Sequence, residues 1–437
     1  MSEIEIGLAL IAAMVFMVLM GLQVAIALYA LSFAGIWVMR DNFELASKML
    51  GIAAYSGIQE IVFSSIPLFV LMGMFVAYAG LGKDIFDVAA WLLRNIAGGL
   101  GIAVVAANAV FAAVTGISIA SAAVFTRVAV PELLKHGYSP KLAVGTVAGS
   151  SILGMLIPPS VLFILFGILA EESIGKLFIA GLVPGILMAI AFSLGIVVMV
   201  TRFKGFAGRV DSASELDHAE TPRSAAQKFA PVGVLVVLML GGLYSGIFTP
   251  TEAGAVGALG ALLIALLKRR LNAATVWRVL HETGVISVSI LILLSAASLY
   301  SQMLTYSGVP EAISEALKGA GGGVVGFWAL YIAVVVGLGC ILDSTSIMLI
   351  VVPICIPIAR AFEIDMIQFG VVTVIAVEIG LLTPPLGMSA FTVQSTLQDR
   401  SISLDQIFRG CMPFVLIMLA VLLLCAAFPS LSLVLVR

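Results

Sequence analysis

Two double prolines, each four residues after a glycine and inside an otherwise apolar stretch, constrain this chain more than any other feature. They lie in Gly154-Met155-Leu156-Ile157-Pro158-Pro159-Ser160 and Gly380-Leu381-Leu382-Thr383-Pro384-Pro385-Leu386-Gly387. Proline has no backbone N–H and its ring clashes with the preceding turn, so each pair interrupts a helix. Lipid cannot satisfy the carbonyls left open, and interrupted backbone at membrane depth survives only where it lines a protein cavity. Pro158, Pro159, Pro384 and Pro385 therefore mark candidate ligand or ion sites. Two such breaks suggest a transporter assembled from two related halves.

The membrane setting follows from composition. Only 11% of residues are charged and 62% are hydrophobic, where soluble domains carry roughly 25% charge. Charge-free runs such as Ile61–Gly82, Leu177–Thr201, Phe229–Thr251 and Cys411–Val436 reach the ~20 residues of a spanning helix. An all-α polytopic membrane protein is expected. The net charge of −2 leaves no electrostatic footprint for nucleic acid. The start, Met1-Ser2-Glu3-Ile4-Glu5, lacks the basic segment of a cleaved signal peptide. Cys340, Cys355, Cys411 and Cys425 sit in apolar runs and read as small buried hydrophobes. His136, His218 and His281 fall in separate polar connectors, so no transition-metal site is expected. No HExxH or GxSxG motif and no catalytic aspartate pair argues for an intramembrane enzyme.

Basic loops set the orientation. The polar connector 202–228 holds Arg202, Lys204, Arg209, Arg223 and Lys228, and a second cluster holds Lys268, Arg269, Arg270 and Arg278. Two short apolar runs joined at Thr249-Pro250-Thr251-Glu252 lie between them, enough for two crossings. Both clusters then share a side, which the positive-inside rule makes cytoplasmic. The connector divides a first half, 1–201, from scaffold helices at 229–283 and a second half, 284–437.

The halves repeat at a lag near 226 residues. Pro131 precedes Pro158 by 27 residues, and Pro357 precedes Pro384 by 27; Tyr78-Ala79-Gly80 has a counterpart in Tyr306-Ser307-Gly308. Five apolar crossings separate the copies: Leu142–Ala170, Leu177–Thr201, Phe229–Thr251, Ala253–Leu267 and Thr283–Leu304. An odd number inverts the second copy, the plan of secondary transporters that bind at the midplane between two inverted repeats. Asn95–Thr126 is 32 residues long, too many for one untilted span of a ~30 Å core. Its natural break is the small, hydroxyl-rich run 115–123, and the counterpart is 337–346. Each repeat is expected to supply a re-entrant hairpin (about 98–135 and 324–360) and a discontinuous helix (about 141–170 and 366–398). At the hairpin tips, helix N-termini would offer N–H groups to an anion and unwound carbonyls would face a cation.

Ser65-Ile66-Pro67-Leu68-Phe69, 116–123, 154–160, Gly246-Ile247-Phe248-Thr249-Pro250-Thr251-Glu252-Ala253, Leu342-Asp343 and 380–387 resemble the large membrane subunit, of DctM type, of tripartite ATP-independent periplasmic (TRAP) transporters. The resemblance runs over essentially the whole chain. It implies an elevator-type fold of the ion-transporter superfamily in the bacterial cytoplasmic membrane, importing a small organic anion with Na⁺ as coupling ion and no cofactor. It also implies two partners, a small four-helix membrane subunit (DctQ type) and a periplasmic solute-binding protein (DctP type). A stand-alone organic-anion permease, needing no binding protein, is the alternative. The first tip reads Gly-Ile-Ser-Ile-Ala-Ser where the family more often has Gly-Ser-Ser.

Candidate site residues cluster at these breaks. For substrate they are Ser118, Ser121, Ser160, Asp343, Thr345 and Glu378; for Na⁺ they are Gly116, Ser118, Gly154, Gly339, Gly380 and Thr383. A carboxylate at helix-centre depth costs ~2.5–3.5 kcal/mol on insertion scales, so Asp343 calls for a role. It would bind substrate hydroxyl or amine groups, or stand near a cation; the alternative is a helix N-cap. Glu378 reads equally as a site-lining or ion-sensing group, with H⁺ coupling open, and as a buried carboxyl bonded across helices. The serines and threonines suit a hard cation, or else simply pack helices together. Neither tip carries Arg or Lys. Arg127 and Arg360 end the hairpins' second arms; either could help balance the anion's charge, though both read first as interfacial anchors. Segments 85–93 and 311–318 are amphipathic and read as interfacial helices joining a moving domain to a fixed one.

Overall fold

The computed structural model describes residues 2–208, 221–319, 321–397, 399 and 401–436. Residues 209–220 of the polar connector, with Arg209 and His218, lie outside the described residues, as does Gln398 at the end of the second broken helix. Every regular element among the described residues is a helix.

Local sequence sets many of the helix boundaries. The first apolar run breaks at Gly21, whose φ of 90° suits only glycine, giving α1 (Glu3–Leu19) and α2 (Val24–Arg40). Ser2 and Glu5 form a capping box on α1. Asn42 caps α3 (Phe43–Gln59), which leads through a 3₁₀ turn into α4 (Ser65–Tyr78). Gly80, at φ 73°, turns the chain into α5 (Leu81–Leu93). The hairpin α6 (Gly99–Thr115) and α7 (Ser118–Lys135) follows, then the broken helix α8 (Pro140–Ser151), α9 (Leu153–Leu156) and α10 (Val161–Ala170). The long α11 (Ile174–Arg202) and the short α12 (Lys204–Ala207) lead to the connector.

Beyond the connector come α13 (Pro222–Tyr244), α14 (Pro250–Leu267) and α15 (Ala273–Ser307). The Thr249–Glu252 pattern is a capping box on α14. The sequence reading placed Arg278 and His281 in a connector; they lie in α15, which Asn272 caps. At 35 residues this helix is ~52 Å long and overshoots a ~30 Å core, so its first turns carry charge at no cost to the span. Then follow α16 (Val309–Gly319), the hairpin α17 (Gly323–Gly339) and α18 (Ser344–Ala361), the broken helix α19 (Met366–Gly380) and α20 (Met388–Thr396), α21 (Leu404–Ala427) and a terminal turn, α22 (Ser430–Leu433).

Among the described residues, seven helices are long and apolar enough to cross a membrane, and the pair α8–α9/α10, bent by 41°, makes an eighth if counted as one span. The second repeat follows the first closely: α7 and α18 begin at Ser118 and Ser344, and α8 and α19 at Pro140 and Met366, each 226 residues apart. Pro158–Pro159 and Pro384–Pro385 are both cis.

The helices pack as two bodies. In one, α15 lies on α2, α3 and α4, and α14 on α4 and α13. In the other, α8 packs on α6, α7 and α21, and α19 on α17, α18 and α21. The edge contact of Phe166 with Phe369, at 5.6 Å between centroids, joins the two repeats within the second body, and Tyr331 backs Phe369 from its own repeat at 4.8 Å. The bodies meet where α15 touches α18, where α4 touches α6, and through α5 and α16, each of which leads into a hairpin.

Candidate functional site

Each hairpin tip is folded against the break of its own repeat, backbone on backbone. Gly116 ends α6 in the left-handed conformation, φ 65°, and a Cβ there would stand 2.7 Å from the Pro159 carbonyl oxygen. The Val161 amide donates to the Gly116 carbonyl at 3.3 Å. In the second repeat, a Cβ on Gly380 would lie 2.5 Å from the Cα of Gly339. The Leu386 amide donates to the Cys340 carbonyl at 3.0 Å. Only glycine permits such contact, and the tip carbonyls of Gly116 and Cys340 are thereby bonded to amides of the breaks rather than left to lipid. Gly154 does the same with less crowding, its Cβ position 3.2 Å from the Ile117 carbonyl.

One side-chain hydrogen bond joins the two repeats at this point. Ser118 Oγ, at the start of α7, donates to Glu378 Oε1 of α19 at 3.2 Å. Glu378 is 1% exposed, and its Oε2 has no partner among the described residues. A buried carboxyl with one hydrogen bond and one bare oxygen calls for a proton or a cation beside it.

The other candidate residues are placed in two ways. Ser160 is buried and caps α10 through the Phe163 amide at 3.3 Å. Ser121 lies one turn below the first tip and donates to Asn108 Oδ1 at 2.5 Å, while Asn108 Nδ2 donates to Ser150 Oγ at 2.7 Å. Sequence reasoning missed Asn108; its one signal was an amide in the middle of an apolar run. Asp343 is the N-cap of α18: Oδ2 accepts from the Ser346 amide at 3.1 Å and Oδ1 from the Ser346 hydroxyl. It remains half-buried, as does Thr345. Thr383 bonds the Gly380 carbonyl at 2.9 Å and the Cys340 thiol at 3.0 Å.

The two repeats differ in charge and exposure. The first tip's N-cap is Ile117, which offers no side-chain cap, so the N–H groups of the first turn of α7 keep their positive end of the helix dipole. The second tip carries the Asp343 carboxylate. Pro158, Pro159 and Ser160 are buried, whereas Pro384, Pro385 and Leu386 are exposed. Arg360 does not reach a tip: its Nη2 donates to the Ala170 carbonyl at 3.0 Å, tying the second hairpin's base to the end of α10. Arg127 lines a small cavity with Thr126, Thr396 and Asp399. No group of three His, Cys, Asp or Glu capable of holding a metal occurs among the described residues.

Comparison with known proteins agrees over nearly the full length. The family model described as tripartite ATP-independent periplasmic transporter, DctM component, matches residues 10–431. The C4-dicarboxylate TRAP transporter large permease protein DctM of Pseudomonas aeruginosa is 32% identical over 389 residues, 89% of each chain. The 2,3-diketo-L-gulonate TRAP transporter large permease protein YiaN of Escherichia coli is 31% identical, with 94% of each chain covered. The crystal structure of the Alcanivorax borkumensis YdaH transporter shares the fold, with a TM-score of 0.66 at 15% identity over 89% of each chain.

Proposed function

This chain belongs to the DctM component family of TRAP transporters, and from that premise we propose that it imports a small organic anion by Na⁺-coupled, elevator-type movement. As a member it is a large permease, a multi-pass protein of the bacterial cytoplasmic membrane and a transporter component rather than an enzyme. A periplasmic solute-binding protein would deliver the anion, and a small membrane subunit would accompany this chain. The relatives act on C4-dicarboxylates and 2,3-diketo-L-gulonate; the substrate class proposed here is an organic acid of that kind.

The observation that carries this reading is the Ser118–Glu378 contact at the meeting of two tips and two breaks. It brings oxygen donors from both repeats into one place, with a bare carboxyl oxygen among them. Na⁺ is a hard cation that takes oxygen ligands, and the donors available are the backbone at Gly116, Gly154, Gly339 and Gly380 with the Ser118 and Thr383 hydroxyls. The asymmetry of the tips also orients the anion. Its carboxylate would face the uncapped N-terminus of α7, and its hydroxyl or amine groups the Asp343 side. Binding that orders both tips only when ion and substrate are present would let the loaded and empty body move and hold the partly loaded one still.

The test is uptake into proteoliposomes holding this chain and its small subunit, with radiolabelled C4-dicarboxylates and sugar acids and a purified binding protein outside. Concentrative uptake is expected only with an inward Na⁺ gradient and only with the binding protein. Equal uptake in choline, or uptake without the binding protein, overturns the proposal. Asp343→Asn is expected to reduce uptake at least tenfold while the protein still elutes as a folded complex.

A further inference from the structure

We propose that the groove between α1, α16 and the second hairpin is a phospholipid site, taking one acyl chain of a lipid whose headgroup rests on the end of α16. The groove has a volume of about 470 Å³ and is walled by carbon: Ile11 and Val15 of α1, Leu317 of α16, Leu330 and Val334 of α17, and Ile354 of α18. Tyr331 faces it but spends its hydroxyl on Thr373 at 2.7 Å, away from the groove. Gly337 adds to the hollow, since a Cβ there would meet nothing within 4 Å. Along α17 the lining runs from Phe327 to Leu338, a drop of ~16 Å into the hydrocarbon.

The occupant is named by what surrounds the hollow and what stands at its mouth. The face of α17 that borders it is open, with Leu330 49% and Val334 40% exposed, and in a bilayer that face meets hydrocarbon. Lys318, exposed at the end of α16, lies over the Phe362 ring at 5.5 Å, and Phe362 in turn packs on Phe327 of the groove at 5.9 Å. This puts an ammonium at the head of an acyl-sized slot, as a lipid phosphate requires. Glu311 and Glu315 are exposed on the same helix. They favour a headgroup that also carries an ammonium over a purely anionic one, which points to phosphatidylethanolamine. With 202–228 and 268–270 cytoplasmic, α15 ends on the opposite side, so the lipid would come from the periplasmic leaflet.

The inference needs only a membrane-spanning chain and stands or falls apart from the transport proposal. A photoreactive diazirine analogue of leucine at position 330, activated in native membranes, is expected to give a phospholipid adduct. Delipidated protein titrated with dioleoylphosphatidylethanolamine is expected to hold one molecule in native mass spectrometry. Ala333→Phe, which fills the groove, should lower that occupancy at least fivefold, and Lys318→Glu severalfold. Val325→Phe, equally bulky on the open face of α17 but outside the groove, should leave it unchanged. A polypeptide adduct at position 330 would identify a protein helix as the occupant and sink the proposal. So would an Ala333→Phe variant that keeps wild-type lipid occupancy.

Discussion

Glu378 concentrates the residue-scale chemistry of this protein, because its bare oxygen is the one part of the Ser118 contact that the described residues leave unanswered. If a cation fills that position, Glu378→Gln removes the charge while keeping size and hydrogen bond. Uptake should fall at least tenfold, and the Na⁺ concentration for half-maximal uptake should rise. An unchanged Na⁺ dependence would return Glu378 to a packing role. Asn108 acts at one remove, holding Ser121 on α7 and Ser150 on α8 to α6. Asn108→Leu strands the buried Ser121 hydroxyl and removes the amide that donates to Ser150, which keeps the Thr146 carbonyl; a lost partner costs about 1–3 kcal/mol. The detergent-solubilised protein should melt several degrees lower, a change that differential scanning fluorimetry detects. Gly380→Ala places a methyl 2.5 Å from the Gly339 Cα, a backbone clash that no rotamer relieves, with an expected loss of about 1–3 kcal/mol.

Among the helices, α5 is held more firmly than its counterpart α16. Its Asp87 pairs with Lys228 of α13 at 2.8 Å and its Asp84 with Lys268 beyond α14, both only partly exposed. Among the described residues, the ion pairs include none on α16. If the second body moves as proposed, these ion pairs favour an α5 arm that stays with the α13–α14 body. Asp84→Lys should impair transport and the double variant Asp84→Lys, Lys268→Asp should recover most of it; a double variant no better than the single would deny the pair a role. The base of the first hairpin is pinned elsewhere, by the Ser139 amide on the Ala207 carbonyl at 2.7 Å and the Gly101 amide on the Tyr138 hydroxyl at 3.1 Å. Burial pushes the Tyr138 phenol up to about 12, against a smaller lowering by the Gly101 amide. The folded state holds its proton more tightly than the unfolded chain. That stabilisation is complete below pH 10 and is lost as the pH climbs through 12. Wild-type stability should fall in that window, and less steeply in Tyr138→Phe.

For the whole molecule, the two-body packing makes a mechanical claim. Under the elevator proposal, the α15–α18 contact is the surface along which the two bodies would slide. A disulfide engineered between α15 and α18 across that contact should arrest uptake on oxidation, and a reductant should restore it. Full activity in the oxidised form would mean that the bodies do not part there. The all-helical membrane class, the two interruptions and the 226-residue repeat could be read from the chain alone. Those features live in local rules: proline removes a donor, glycine turns the chain, and apolar length sets a span. The hydroxyl-rich tips were legible for the same reason. The Ser118–Glu378 bond, 260 residues apart, was not, and neither was the Asn108 network; the N-cap was one of the two roles the chain offered for Asp343, and it is the one seen. The extra turns of α15 escaped because charged residues in a helix overshooting the bilayer look like a loop. Which break is buried and which is open also has no local signature, since both share one motif and differ only in the neighbours that pack over them. Periodicity and backbone chemistry act between residues a few positions apart, and so they are written in the chain. The pairing of a carboxyl with a distant hydroxyl depends on how inverted halves close on each other, and only the assembled helices decide it.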